Sequence, residues 1–184
     1  MSYDIELIDQ KTGKVATMDN AVFVKGGTIP VELDMETGQL VPSKQREACI
    51  NITYNYGEYY RSVTEDDAYF PFDRNEGIRC VYGMTGEESI PYLKRMIKGI
   101  EARNKDFDGN WIKSKRRKIH YYDESGNETK PYGNNIYTTE IEEYYVCEGD
   151  TSNYWEPTAA NAITPLKDMI HMAIECPDAV WDGD

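Results

Sequence analysis

Two histidines, His120 and His171, are the only imidazoles available for acid–base work or metal ligation. Neither lies near a Ser or Cys in a nucleophile motif, so the chemistry a histidine supplies when paired has no visible partner here. His171 follows Ile170 at the border of an apolar helical stripe, and both residues read as packed or solvated side chains. Gly83-Met84-Thr85-Gly86 opens a helix, where free N–H groups and the helix dipole can hold an anion. Glu87 and Glu88 occupy the place of a phosphate and no P-loop lysine follows, which favours ordinary capping. Arg79 lies close enough upstream to make Arg79 and Thr85 the candidate small-ligand pair. Asn104-Lys105-Asp106-Phe107-Asp108-Gly109 matches the opening of a calcium loop, but the closing position falls on Lys115, so a polar turn is expected. Cys49, Cys80, Cys147 and Cys176 are dispersed, which excludes a zinc knuckle or a dithiol motif and suits buried thiols in a reducing compartment. No metal, no cofactor and no enzymatic activity are expected.

Charge is the stronger signal. Lys113, Lys115, Arg116, Arg117 and Lys118 form a basic run, with Trp111, Tyr121 and Tyr122 nearby for stacking on bases. The competing reading pairs this run across a hairpin with Glu140, Glu142 and Glu143, fixing its register. From Glu140 to Asp184 there are eleven acids and one base. Fifteen tyrosines are grouped in the chain, a residue that gives rigid contact area plus a hydroxyl at interfaces. Glu65, Asp66, Asp67, Glu140, Glu142, Glu143, Glu148 and Asp150, with Tyr144, are therefore the expected partner-binding residues. The basic run is a possible nucleic-acid contact.

These residues need elements to carry them. Tyr3–Asp9, Val15 onward, Ala21–Val24, a hairpin about Asp34–Gly38, and Cys49–Tyr56 all alternate as strands, the last placing Ile50, Ile52, Tyr54 and Tyr56 on one face. Ser62–Glu76 is acidic and rich in turn formers, hence a loop. Thr85-Gly86-Glu87-Glu88 fits a capping box, and Ile90, Leu93, Ile97 and Ile100 with Met96 predict an amphipathic helix to about Arg103. A second helix is predicted over Ala159–Glu175, capped by Thr158, with Ile163, Leu166, Met169 and Ile170 as its stripe. The two helices align from Thr85/Thr158 to Ile97/Ile170, through duplication or through a shared helical period. Between them, Trp111–Lys118, a turn at Asp123–Asn127 and the alternating Ile136–Val146 predict a long β-hairpin.

The whole fits one α+β domain over residues 1–184: an antiparallel sheet packed by two amphipathic helices, with a long β-hairpin insertion over 105–149 and a β-rich N-terminal part over 1–60. A formal net charge of −13 disfavours non-specific binding to nucleic acid or anionic membrane. No apolar run reaches the ~18 residues a membrane-spanning helix needs. Met1–Glu6 lacks the basic and apolar regions of a signal peptide, so a cytoplasmic location is expected.

Ile52-Thr53-Tyr54-Asn55-Tyr56, the run Gly77–Pro91, Asn153-Tyr154-Trp155 and the run Pro177–Asp184 together resemble a family of small proteins carried by phages, prophages and plasmids of Firmicutes. The resemblance covers about residues 48–103 and 150–184, and the hairpin between them looks like an insertion of variable length. One branch is similar to a type II-A anti-CRISPR, an inhibitor of the RNA-guided nuclease Cas9. The resemblance implies a cytoplasmic protein of the host bacterial cell that binds Cas9, or Cas9 with its guide RNA, and blocks DNA binding or cleavage. It transfers no site residues. The alternative is a phage-encoded sponge that sequesters a nucleotide immune signal at Arg79 and Thr85.

Overall fold

Tyr3, Ile5 and Leu7 alternate with Asp4 and Glu6, and this period of two forms strand β1 (Ser2–Asp9), which buries those three apolar side chains. The computed structural model describes residues 2–19, 31–42, 46–65, 68–70, 77–130 and 136–184. After the turn at 10–13 come β2 (Lys14–Val15) and β3 (Thr17–Met18). The hairpin of β4 (Val31–Leu33) and β5 (Leu40–Pro42) forms as expected, whereas the strand expected at Ala21–Val24 lies outside the described residues. β6 (Arg46–Glu47) pairs β3, and β7 (Cys49–Thr53) pairs β1.

Alternation overstates β7. Thr53 caps a 3-10 turn at Tyr54–Tyr56 by accepting the Asn55 N–H, and helix α1 (Gly57–Thr64) follows. Tyr56, Tyr60 and Val63 then share a buried helical face, so part of the stretch expected to be a loop is helix.

Helix α2 (Gly86–Asn104) begins at Thr85 with the full capping box: Thr85 Oγ accepts the Glu88 N–H and Glu88 accepts the Thr85 N–H at 2.9 Å. Its buried side is Leu93, Met96 and Ile100, while Ile90 and Ile97 are only partly covered. The arm that follows comprises β8 (Lys113–Tyr122), β9 (Glu128–Thr129) and β10 (Thr138–Cys147), in the spatial order β10-β8-β9. The turn at Asp123–Asn127 therefore joins β8 to the short β9, and β10 returns along the other edge of β8. Helix α3 (Ala159–Glu175), capped by Thr158, runs as the sequence predicts.

Strand β11 (Val180–Gly183) closes the fold, a partner that alternation alone does not announce. Ile5 and Glu6 pair both β11 and β7, so these flank β1 on opposite edges. Helices α2 and α3 pack together on the four-stranded sheet of β1, β2, β7 and β11. A side chain at Gly86 would lie 2.5 Å from the Cys176 carbonyl and 2.9 Å from that of Ala173, so only glycine allows this approach. Trp181 of β11 is buried and donates its indole N–H to Ser89 of α2 at 2.8 Å. The four cysteines are free, with Cys80 and Cys176 buried but Cys49 and Cys147 only half-buried. No helix among the described residues is long and apolar enough to cross a membrane.

Candidate functional site

Opposite charge on alternating strands sets the arm. Ten residue pairs join β8 to β10, among them Glu142 with Lys118, Glu143 with Arg117 and Tyr145 with Lys115. Glu143 lies 2.5 Å from Lys115 and 3.2 Å from Arg117, the cross-strand pairing one of the two sequence readings expected. On the opposite face His120 is held between Glu128 at 2.8 Å and Glu142 at 3.0 Å. Those two hydrogen bonds raise its pKa above the usual histidine value, against a smaller opposing effect of desolvation. Tyr122 reaches Glu140 at 3.4 Å.

At the base of the arm Trp111 packs directly on Gly149, and Lys105 sits over the indole at 4.6 Å. Here Arg116 turns inward. Its Nη2 lies 2.6 Å from Glu148 Oε1, 2.7 Å from the Tyr59 hydroxyl and 3.1 Å from the Pro157 carbonyl. Tyr59 in turn donates to Glu148 Oε2 at 2.6 Å, and the Ala159 N–H donates to the same oxygen at 2.9 Å. Glu148 thus ties α1, β8 and the first turn of α3 together, with its carboxylate at the positive end of the α3 dipole. Burial acts to raise its pKa, but hydrogen bonds from Ser114, Tyr59 and the Ala159 N–H, together with Arg116, outweigh burial and hold it below the usual carboxylate range. A cleft of about 430 Å³ opens beside this junction, lined among others by Asn55, Tyr59, Ser62, Arg103, Ser114 and Arg116.

The expected partner-binding residues divide. Glu140, Glu142 and Glu143 are exposed on β10, and Tyr144 is half-buried with its hydroxyl 3.4 Å from Glu156. Asp150 is exposed and accepts the Ser152 N–H at 2.8 Å, which with other bonds from Ser152 lowers its pKa. Glu65 is exposed at the end of α1, away from the strand acids in sequence, and Asp66 and Asp67 lie outside the described residues. Glu148 requires correction: at 1% exposure it is a buried structural carboxylate and presents nothing to a partner. Of the basic run, Arg116 is likewise turned to the interior and Lys115 and Arg117 face Glu143, while Lys113 and Lys118 stand opposite Cys147 and Glu142.

The candidate small-ligand pair is engaged within the chain. The Gly86 N–H donates to the Ala179 carbonyl at 2.8 Å, the Glu87 N–H to Pro177 at 3.0 Å and the Glu88 N–H to Thr85 Oγ at 3.3 Å. The chain's own C-terminal segment fills the place of an anion. Arg79 donates from Nε to the Asp184 carbonyl at 2.9 Å and stacks over Tyr3. The loop at 106–110 is the polar turn expected, closed by Asp106 accepting the Asn110 N–H at 2.8 Å. Among the described residues no group of three or more His, Cys, Asp or Glu is placed to hold a metal ion.

Sequence reasoning missed Tyr59 and the inward role of Arg116 and Glu148. The spacing of Tyr56, Tyr60 and Val63 could have revealed α1, and with it the side from which Tyr59 reaches the arm.

Comparison of the chain with protein-family models, with curated proteins and with solved structures finds no match.

Proposed function

We propose that this chain is a non-enzymatic inhibitor that binds Cas9, alone or with its guide RNA, and blocks DNA binding or cleavage. The resemblance noted in the sequence supplies the partner, and one structural observation carries the mode. Strand β10 exposes Glu140, Glu142 and Glu143 beside the apolar Ile141 and Tyr145. Cas9 holds nucleic acid in positively charged channels. An acidic strand with aromatic and aliphatic anchors suits such a surface: charge raises the rate of encounter, and the anchors set the lifetime of the complex.

The test is size-exclusion chromatography with guide-loaded Cas9, run beside a plasmid-cleavage assay. Co-elution with loss of cleavage is the expected result. Separate elution with normal cleavage at large excess overturns the reading. The bonds that Thr85 and Arg79 make within the chain favour this reading over a nucleotide sponge.

A further inference from the structure

Among the described residues, strand β10 is one of the two edge strands of the arm. It pairs β8 alone among those residues, and the side chains of residues 138–143 are all exposed. The Glu148 N–H donates to the Ile112 carbonyl at 3.0 Å, in register with the ladder that ends at Cys147 and Lys113. In an antiparallel pair, inward and outward backbone groups alternate. Even-numbered residues of β10 therefore bond to β8, and Thr139, Ile141, Glu143 and Tyr145 turn their N–H and C=O groups outward. Such a row of groups, unpaired by any strand among the described residues, is a template for another strand.

The two faces of this edge differ in chemistry, although Glu143, engaged by Lys115 and Arg117, stands between Ile141 and Tyr145 on their face. Ile141 and Tyr145 are 62% and 68% exposed and share a face with Ile119, which stands directly across from Ile141 and is 48% exposed. The opposite face carries Glu140 and Glu142, with Glu128 of β9 beyond His120. We infer that the outer edge of β10 is a strand-addition site for an extended segment of a partner protein in which basic residues alternate with apolar ones. The apolar residues would lie along Ile141 and Tyr145, and the basic ones beside Glu140 and Glu142. A second copy of this chain fits poorly, since antiparallel pairing of β10 with itself about Ile141 sets Glu140 against Glu142. The inference rests on the binding role proposed above for the existence of a protein partner, and its test leaves Cas9 out so that the two can fail separately.

The probes are labelled ten-residue peptides: one of alternating lysine and valine, one of alternating glutamate and valine, and one with the same lysines and valines in two blocks. Fluorescence anisotropy is expected to give saturable binding for the alternating basic peptide alone. Ile141→Pro removes one outward N–H and leaves the β8 ladder whole, and it is expected to weaken binding about tenfold. Ile141→Thr keeps that N–H and should retain binding within about threefold. If circular dichroism finds I141P unfolded, hydrogen exchange on the unsubstituted protein decides, with slowed amides at Thr139, Ile141, Glu143 and Tyr145 expected on adding the basic peptide. Equal binding of the block peptide, unchanged affinity in a folded I141P, or no protection at those amides overturns the proposal. A dimer in sedimentation velocity that I141P dissociates also overturns it, assigning the edge to a second copy.

Discussion

Arg116 and Glu148 meet at 2.6 Å where the arm joins the body, one side chain about a quarter exposed and the other almost fully buried. Removing one member of such a pair leaves the other charge desolvated and unpartnered. Glu148→Ala is therefore expected to lower stability by about 2–4 kcal/mol, read as a shift in the urea midpoint with circular dichroism. Replacing both Arg116 and Glu148 with methionine should cost less than the sum of the single changes.

The same carboxylate is expected to make the fold sensitive to acid. Its pKa is depressed in the folded state, so its contribution is complete above the unfolded value of about 4.3 and is lost as pH falls through the folded value. Stability measured from pH 6 downward should fall less steeply in Glu148→Gln than in the unsubstituted protein.

His120 responds in the opposite sense. Hydrogen bonds to Glu128 and Glu142 raise its pKa in the folded state. The stabilisation is complete below the unfolded value of about 6.5 and is lost as pH rises through the higher folded value. Titration of the imidazole protons by NMR should place its pKa above 6.5, and Glu142→Gln or Glu128→Gln should bring it down. An unshifted pKa would remove the bridge from solution.

Ser89 and Trp181 offer a test of the core. Both are buried, and Ser89 accepts the indole N–H at 2.8 Å. Ser89→Ala strands that donor and is expected to destabilise by about 1–3 kcal/mol. A loss no greater than that of an exposed serine in denaturant unfolding would count against the bond.

Charge reversal separates binding from folding. Glu140→Lys lies on the exposed strand and leaves both carboxylates that hold His120 in place, and it should weaken Cas9 inhibition several-fold while flattening its salt dependence. Asp150→Lys and Glu65→Lys test the two outlying acids in the same assay. Reversal at Glu148 would instead unfold the arm junction, so a loss of inhibition there says nothing about the interface.

Local chemistry explains what could be read from the sequence alone. Thr85 and Thr158 cap their helices through bonds to residues three further on, which makes both helix starts visible in one dimension. The arm was legible because unlike charges on alternating positions demand a register. Tertiary bonds were not. Glu148 reaches the Ala159 N–H from outside the helix, and the Ala179 carbonyl finds Gly86 from far along the chain. Nothing near Thr85 or Glu148 announces those partners. Alternation through Tyr54 and Tyr56 likewise hid α1, since a period of two continues by chance across the first residues of a helical period.

Strand β1 lies between β7, which follows within the first third of the chain, and β11, which ends at Gly183. During synthesis β1 can pair β7 early, yet the opposite edge of β1 waits until β11 has cleared the exit tunnel. Burial of Trp181 against Ser89 waits with it. Completion of the sheet thus depends on a contact of high sequence separation, and one edge of β1 stays open until β11 has been made.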